Sequence, residues 1–462
     1  MLADKLGSNG SGLNIIIVGT GKVGATITAA LYREGHDITV IDKNAAIVQT
    51  LTNNYDVMGI VGNGASYSVQ MEAGIEKADL IIAVTGSDEL NLLCCTVAKQ
   101  VGHCDAIARV RNPDYADEIP YLRERLGLTM IINPELEAAN EIARIVSLPR
   151  ALGVSPFAKG QAELVRFRLP EGNAICDKKL MDLGELVKNI RFCAVEREGE
   201  VYIPDGSFTL CAGDTATFVA SADAAVSFFD SIGLKSGNVK RVMIIGGGKA
   251  AYYLAKQLTV MGKAVKIIES SRARCDELEN LIPSAIIING NGSDEDLLNE
   301  EGLRDADAFV PLTGLDEENI LLTLYAREVS AAKTVTKINR INFRNVIQNL
   351  DLGSVVYPKY VTSEAIIAYV RAKKASKESG IETLYHLYDS RAEAIEFKVG
   401  EVDGITNIPL KYLHTRNDLI IASINHRGQA IIPGGNDCIS AGDTVVVVTT
   451  CTGLKDIRDI LG

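Results

Sequence analysis

The chain has 462 residues, of which 47% are hydrophobic and 23% are charged, so we expect a globular protein of several domains. Its formal net charge of −12 excludes nucleic acid and anionic lipid as partners that bind through bulk charge. No apolar run approaches the roughly 20 residues that span a bilayer, and the start lacks a signal-peptide pattern, so we expect a cytoplasmic protein.

Nine cysteines are spread along the chain, mostly inside apolar runs, with no Cys-x-x-Cys motif and no Cys/His cluster. This pattern favours reduced core cysteines over disulfides, and we expect no metal site. The opening segment 1–12 is rich in glycine and serine, and we leave it out of the predicted fold.

The first predicted elements belong to a long unit that occurs twice. "NIIIVGTGKVGATITAALYREGHDITVID" (14–42) and "RVMIIGGGKAAYYLAKQLTVMGKAVKIIE" (241–269) share the order strand, glycine turn, apolar helix, loop, strand and acidic residue. "ADLIIAVTGSDELN" (78–91) and "ADAFVPLTGLDEEN" (306–319) continue the match at an offset of 227 to 228 residues. The pattern predicts two α/β domains with Rossmann-like, doubly wound parallel sheets, produced by a tandem duplication.

The first glycine turn is typical of a nucleotide site. Gly19 permits the tight turn, Gly21 lets a pyrophosphate approach the backbone, and Gly24 lets the helix lie close to the strand. Asp42, at the end of the next strand, is placed to accept hydrogen bonds from ribose hydroxyls and to repel a 2′-phosphate, so we predict an adenine nucleotide and favour NAD over NADP. The other predicted contacts in this half are Thr20, Lys22, Val23, Asn63 and Thr85. The alternative is a purely structural turn.

"AIARVRNPDY" (106–115) ends a late strand with two arginines, Arg109 and Arg111, that lie on the same side of the strand. Their guanidinium groups suit phosphate oxygens, which they can bind bidentately. The alternative is a pair of solvated strand-end charges. The corresponding segment "TVTKINRINF" (334–343) has Lys337 and Asn339 at these positions, so we expect the two sites to differ in anion preference.

The second unit repeats the turn with Gly246 and Gly248, places Ala251 third, and supplies Glu269 as the acidic residue. Alanine is an accepted third residue of this motif, so the sequence predicts a second nucleotide site, although a scaffold whose second site has decayed is the alternative. By position in the repeat, the site also takes in Asn291, Thr313 and Lys337.

Each α/β domain is followed by a helix and a small β-rich piece. "NPELEAANEIARIV" (133–146) places Ala139, Ile142, Ala143 and Val146 on one helical face. "YPKYVTSEAIIAYV" (357–370) does the same with Ala365, Ile366, Tyr369 and Val370. The charged segment 371–380 predicts a linker or a loose helix end, with a partner contact as the alternative.

The sequence gives weaker evidence for catalytic residues than for nucleotide binding. The five histidines do not recur between the two units and none stands in a glycine turn. "GSDEL" (86–90) and "GLDEEN" (314–319) stand where helices start, so N-capping or dipole pairing is the favoured role of their carboxylates. We therefore predict a sensor rather than an enzyme; an NAD-dependent oxidoreductase of the amino-acid dehydrogenase kind and a structural scaffold with inactive sites are the alternatives.

The series of motifs resembles a known family. "NIIIVGTGKVG", "VIDKN", "VGNGAS", "ADLIIAVTGSDELN", "IARVRNPDY" and "INPELEAANEIARIV" follow, in order, the regulatory subunits of Trk potassium-uptake systems, which contain two RCK (KTN) domains. The resemblance covers residues 13 to 462 and implies four domains: RCK N domains at 13–135 and 238–358, and α+β RCK C-terminal domains with their crossover helices at 136–233 and 359–462.

The same resemblance implies a function. It implies a cytosolic homo-oligomer, a dimer or tetramer, that lies on the inner face of the membrane beneath a potassium-transporting subunit, binds NAD(H), ATP or ADP, and gates ion flow. The family commonly has Gly-Asp after the third strand, whereas this chain has Gly-Asn-Gly at 62–64 and 290–292.

Overall fold

A computed structural model of the chain describes residues 12–234, 237–339, 347, 350–374 and 379–462. Most of the excluded opening segment, and parts of the predicted segments 334–343 and 371–380, lie outside these residues. The chain divides into two compact units: one holds residues up to Leu136 together with Lys359–Ile366, and the other holds Glu137–Pro358 and Ile367–Gly462.

The first unit contains a six-stranded parallel sheet in the order β3-β2-β1-β4-β5-β6. Its strands are β1 (Asn14–Val18), β2 (Asp37–Asp42), β3 (Met58–Val61), β4 (Leu80–Ala83), β5 (Asp105–Arg109) and β6 (Met130–Ile132). Its helices are α1 (Lys22–Arg33), α2 (Ala45–Asn54), α3 (Tyr67–Glu72), α4 (Asp88–Val101), α5 (Ile119–Arg125) and the start of α6 (Pro134–Ser147).

The two central strands of this sheet, β1 and β4, carry apolar side chains on both faces because helices cover both faces. All four residues of β4 are buried, as are the last four of β1. The strand order reverses between β1 and β4, and ligands of doubly wound sheets bind outside the carboxyl ends of the strands at that point. The glycine turn follows β1, so the fold places it there.

The second unit contains a matching parallel sheet in the order β14-β13-β12-β15-β16-β17. Its strands are β12 (Arg241–Ile245), β13 (Ala264–Glu269), β14 (Ile286–Asn289), β15 (Ala308–Pro311), β16 (Lys333–Lys337) and β17 (Ser354–Val356). The helices of this part are α8 (Lys249–Val260), α9 (Arg272–Leu281), α10 (Glu295–Glu300) and α11 (Asp316–Val329). The two α/β domains therefore share one topology, as the repeat predicts.

Two small antiparallel sheets complete the second unit. The first has β7 (Gly153–Phe157), β8 (Ala162–Arg168), β9 (Arg191–Arg197), β10 (Glu200–Tyr202) and β11 (Thr215–Ala220), followed by α7 (Ala222–Ser231). The second has β18 (Ser379–Leu387), β19 (Ala392–Val399), β20 (Leu419–His426), β21 (Gln429–Ile431) and β22 (Thr444–Thr449). Their strand orders, β7-β8-β11-β9-β10 and β18-β19-β22-β20-β21, correspond strand for strand. The duplication thus extends to the small domains.

The two small sheets share a hydrophobic core. Phe157 and Leu164 from the first sheet belong to the same buried cluster as Ala394 and Val446 from the second. At its centre, the buried Tyr388 hydroxyl bonds the hydroxyl of Thr217 and donates to the carbonyl of Thr215 at 3.0 Å. Neither small domain therefore buries its apolar surface alone.

The two helices predicted to leave the α/β domains are α6 and α12 (Pro358–Lys374). All four residues of the predicted α6 face are buried. The prediction for α12 is partly wrong: Ala365 is exposed, whereas Ser363, Ile366, Ile367 and Val370 are buried. The buried face is thus rotated by about one residue, with the i, i+3, i+4, i+7 spacing of a helix.

The described part of the segment 371–380 contains a helix end, as predicted, but that end is not loose. Arg371, in the last turn of α12, is only 3% exposed, and its guanidinium forms two hydrogen bonds of 3.0 Å with the buried carboxylate of Glu393.

Within the described ranges, no helix has the length and apolarity needed to cross a bilayer.

Candidate nucleotide site

The first glycine turn joins β1 to α1 and has the predicted shape. Gly19 has a φ of +93°, and a Cβ there would lie 2.8 Å from the backbone nitrogen of Thr85. A Cβ on Gly24 would lie 1.9 Å from the carbonyl oxygen of Gly19, so only glycine lets this helix start so close to the turn. A Cβ on Gly21, in contrast, would meet nothing within 4 Å, so this position borders open space.

The amino end of α1 faces that space without a capping group. Gly21 is the N-cap residue and offers no side-chain acceptor, and the first turn contains no acidic residue. Lys22 is exposed and Val23 is half-buried in this turn. Unpaired amides and the helix dipole at such an end favour an anion.

Asp42 ends β2 beside the turn and holds it in place. Its carboxylate accepts hydrogen bonds from the Thr20 amide at 2.7 Å, the Thr20 hydroxyl at 2.8 Å and the Asn44 amide at 2.9 Å. Burial raises the pKa of Asp42, but these hydrogen bonds outweigh it, so the net shift is downward. A carboxylate accepts about four hydrogen bonds, so these three bonds leave about one acceptor position on Asp42.

Asn91, which the sequence analysis did not single out, connects the ends of β4 and β5. It is completely buried; its side-chain oxygen accepts from the amide and the hydroxyl of Thr85, both at 2.7 Å, and its amide donates to the carbonyl of Arg109 at 2.9 Å. Asn319 repeats the arrangement with Thr313 and Lys337. The only sequence signal was that both copies contain Asp-x-x-Asn at the start of this helix.

The carboxylates at these helix starts do not act as caps. Asp88 is 5% exposed, and its Oδ2 accepts from the backbone amides of Arg111 and Asn112 at 2.8 and 2.7 Å, whereas Ser87 caps α4. Asp316 likewise accepts from the amide of Asn339 at 2.9 Å. N-capping by Asp88 and Asp316 is therefore wrong, and both carboxylates instead hold the loop that follows the fifth strand; both still lie in the first turn of their helix, where the predicted pairing with the helix dipole applies.

Arg109 brings a partly buried positive charge to the site. One Nη donates to the carbonyl of Thr85, while its buried Nε has no hydrogen-bond partner within the described residues. Burial, reinforced by the charge of Arg111, lowers the pKa of Arg109 to about 10, so it remains a cation at neutral pH. A buried guanidinium nitrogen without an acceptor is a suitable donor to a bound anion.

Arg111 reaches the same loop but is already paired. Its Nη2 donates to the carbonyl of Gly86 at 2.7 Å, and its guanidinium lies 3.5 Å from carboxylate oxygens of both Asp88 and Glu135. The structure thus brings the two predicted arginines together, but it places two carboxylates around the second one.

The second turn has the same form as the first, but its site differs at three residues, Ala251, Arg274 and Asn339. Gly246 again has a φ of +93°, and Gly248 again borders open space. Ala251 is completely buried, so this turn accommodates the Cβ that would clash at Gly24. Glu269 accepts from the Gly247 amide at 2.6 Å and from the Ser271 amide at 2.7 Å, the role that Asp42 has in the first copy.

Arg274 is the second difference, and the repeat gave no signal for it. Its Nε donates to the carbonyl of Gly247 at 2.7 Å, and its Nη1 lies 2.7 Å from Glu277. Lys337 reaches the carbonyl of Leu312 at 2.9 Å, and is thus the counterpart of Arg109. The third difference is Asn339, which bonds Asp316 in place of the second guanidinium.

The remaining predicted contacts lie in turns after the third strands. Asn63 accepts from the Ala65 amide at 3.3 Å, and Asn291 from the Ser293 amide at 3.1 Å. The glycine that follows each asparagine is required by packing, since a Cβ on Gly64 would lie 2.1 Å from Val18. The Gly-Asn-Gly sequence is therefore explained by local structure.

Comparison with known proteins agrees with this architecture. The TrkA-N domain model matches residues 15–134 and 242–358, and the TrkA-C domain model matches residues 164–233. The chain is 31% identical over 454 residues to "Trk system potassium uptake protein TrkA homolog 1" of Methanosarcina mazei, covering 96% of this chain and 99% of that protein. It is 32% identical over 440 residues to "Trk system potassium uptake protein TrkA" of Haemophilus influenzae, covering 92% and 95% of the two chains.

Solved structures show the same fold. The GsuK channel bound to NAD matches with a TM-score of 0.62 at 17% identity, covering 96% of this chain and 78% of that one. The crystal structure of the GsuK RCK domain matches with a TM-score of 0.62 at 16% identity, covering 96% and 94%. Tandem RCK architecture and identity to relatives over almost the whole chain lead to one conclusion: this chain belongs to the TrkA family of Trk potassium-uptake proteins.

Proposed function

We propose that the chain is a cytoplasmic nucleotide sensor that binds NAD(H) and ATP or ADP in its glycine turns and gates a membrane potassium-transporting subunit of the Trk type. In this proposal it acts as a homo-oligomer, a dimer or tetramer, held at the inner face of the membrane by that subunit. The observation that supports this proposal most directly is the uncapped start of α1 at Gly21, bordered by Asp42 and the partly buried cation of Arg109.

Two further observations support binding without turnover. Asp42 stays ionised at neutral pH because its pKa is lowered, and Arg109 stays protonated with a pKa of about 10. A proton donor or acceptor for hydride chemistry needs a pKa closer to neutrality. Among relatives in fold, one GsuK structure is bound to NAD, and another, with a TM-score of 0.51, is bound to ADP.

Aspartate in place of the second glycine of each turn tests the proposal. Gly21 has φ −63° and Gly248 has φ −67°, and a Cβ meets nothing within 4 Å at either position. Aspartate is a preferred N-cap residue, so Gly21→Asp and Gly248→Asp should preserve or raise the melting temperature. The new carboxylate would occupy the position of the phosphates, and binding at the altered site should fall at least about 100-fold.

Calorimetry with NAD, NADH, ADP and ATP is the measurement, and Gly206→Asp is the matched control. A Cβ at Gly206 makes only ordinary contacts of 3.6 Å with Met181, in the first small domain. Unchanged affinity for every nucleotide in the double variant Gly21→Asp/Gly248→Asp would overturn the proposed site.

Two assays then address gating and turnover. In membranes reconstituted with the potassium-transporting partner, Gly21→Asp should flatten the response of ion flux to nucleotide while the complex still assembles. The unmodified chain should not consume NADH or ATP. Steady turnover at roughly 1 per second or faster, an ordinary enzyme rate, would instead favour an oxidoreductase or a nucleotide hydrolase.

A further inference from the structure

A cavity of about 800 Å³ lies within the second unit, away from the glycine turn. Arg241 and Lys333, which line it, are the first residues of β12 and β16, and Asp307 immediately precedes β15. The glycine turn follows the last residue of β12, so the cavity lies at the opposite, amino-terminal ends of the strands. Its other wall comes from the segment after α6 and from the end of β8, where Arg150 and Arg168 stand.

The lining is strongly basic in an acidic protein. Among the described residues, six basic side chains line the cavity: Arg150, Arg168, Arg241, Arg304, Arg327 and Lys333. Three carboxylates accompany them, on Asp305, Asp307 and Asp351. The five arginines alone outnumber the carboxylates by two, although the whole chain has a net charge of −12. Such a local excess attracts anions into a concave site.

Several of these charges are held in fixed positions. Asp307 accepts from the backbone amides of Lys240 and Arg241 at 2.9 and 2.8 Å, which uses part of its capacity as a counterion. Asp351 pairs with Arg327. The ammonium of Lys333 donates to the carbonyl of Ala151, so it is anchored at the boundary between the two walls.

From this arrangement we infer that the cavity binds a compact phosphate polyanion, such as a short inorganic polyphosphate or a sugar bisphosphate. Guanidinium groups bind phosphate oxygens bidentately, and the volume is within the usual range for small-ligand sites. None of the described residues that line the cavity is aromatic, so none of them offers a ring on which a nucleobase could stack. An anion that contacts Arg150 and Arg168 on one side and Arg327 on the other would hold the first small domain to the second α/β domain.

Lys333 makes anion binding measurable as proton uptake, which ordinary surface charges would not show. Burial, together with the charges of Arg327 and Arg150, lowers the pKa of Lys333 to about 7, so at pH 8 most of this side chain is neutral. The other charged residues that line the cavity include two ion pairs, Arg241 with Asp307 at 3.7 Å and Arg327 with Asp351. The remaining ones are Arg168, Arg304 and Asp305. A bound polyanion favours the protonated amine, so binding at pH 8 should take up a fraction of a proton, at most about one.

The test is calorimetry with inorganic tripolyphosphate at pH 8, on the full chain carrying Gly21→Asp and Gly248→Asp so that the glycine turns do not compete. Measurement in two buffers of different ionisation enthalpy gives the proton uptake. We expect saturable binding with proton uptake, and about tenfold or greater loss of affinity in Arg150→Gln/Arg168→Gln, both of which alter exposed side chains. Lys333→Met should abolish the proton uptake, whereas Lys398→Met, at an exposed lysine of β19, should change neither quantity.

Three outcomes would overturn the inference. One is the absence of saturable tripolyphosphate binding. Binding whose affinity is the same in Arg150→Gln/Arg168→Gln and whose proton uptake is the same in Lys333→Met would overturn the inference equally. The third is ATP binding more than tenfold tighter than tripolyphosphate in the same background, which would show that the cavity recognises a nucleoside. Equal or weaker binding of ATP supports a compact anion. Only ATP binding that Arg150→Gln/Arg168→Gln weakens is assigned to the cavity, so residual ATP binding at the glycine turns does not affect the comparison.

Discussion

Asp42 offers a sharp test of how the first site selects its nucleotide. The carboxylate accepts three hydrogen bonds from Thr20 and Asn44, which leaves about one acceptor position for a ribose hydroxyl. Loss of one charge-assisted hydrogen bond costs about 1–3 kcal/mol, which corresponds to roughly 5- to 150-fold in Kd. Asp42→Ala should therefore weaken NAD binding by that factor. It should weaken NADP binding less, because the charge that repels a 2′-phosphate is lost as well.

The protein itself also loses contacts in this variant, so a second substitution is needed. Thr20 is 2% exposed, and alanine at position 42 leaves its amide and hydroxyl without their acceptor. Asp42→Asn keeps one acceptor oxygen, enough for the two bonds from Thr20, but places an NH2 group opposite the Asn44 amide, so its melting temperature should lie between those of the wild type and Asp42→Ala. Asp37→Ala removes an exposed carboxylate from the other end of the same strand and is the matched control.

Calorimetry in the Gly248→Asp background isolates the first site. Both Asp42 variants should raise the affinity for NADP relative to NAD, whereas Asp37→Ala should leave the ratio unchanged. If neither Asp42 variant alters that ratio, Asp42 only supports the turn and the assignment of NAD specificity is wrong.

Two further predictions concern charges that the structure pairs differently. Arg109→Gln should reduce ADP and NAD affinity more than Arg111→Gln does, because Arg111 is already engaged by two carboxylates; equal losses in calorimetry would contradict this. Glu393→Gln should cost about 3–5 kcal/mol of stability at pH 7, since it removes the charge of a buried carboxylate that pairs with the buried Arg371. Burial raises the pKa of Glu393, but hydrogen bonds from His386 and Arg371 lower it to about 2, below its ordinary 4.5. The stability from this shift is therefore complete above pH 4.5 and is lost as pH falls towards 2. Urea unfolding should show the wild-type advantage shrinking over that window; a constant difference from pH 6 to pH 3 would refute the assignment.

The sequence by itself determined the features that depend on neighbouring residues. The turn at Gly19 requires a left-handed backbone, and Gly24 must lie against Gly19, so the spacing of these glycines specifies their shape. Apolar runs such as β4 are buried on both faces, which only a parallel sheet covered by helices provides. The acidic residue at the end of the second strand lies beside the turn because adjacent parallel strands end at the same edge. The duplication carries these features into the second half, except that Ala251 stands in place of Gly24.

Tertiary structure decided how distant side chains pair. Arg111 meets Asp88 and Glu135 across 23 and 24 residues of sequence, and no periodic pattern distinguishes such a paired arginine from one that faces a ligand. Asn91 lies in a helix and forms hydrogen bonds with the ends of two strands, and the residues next to it in the sequence do not predict those bonds. The basic cavity around Lys333 exists only because the amino ends of several strands meet the segment after α6. Local sterics and hydrophobic periodicity are encoded over a few residues, whereas the partner of a charged group is set by which elements the folded chain brings together.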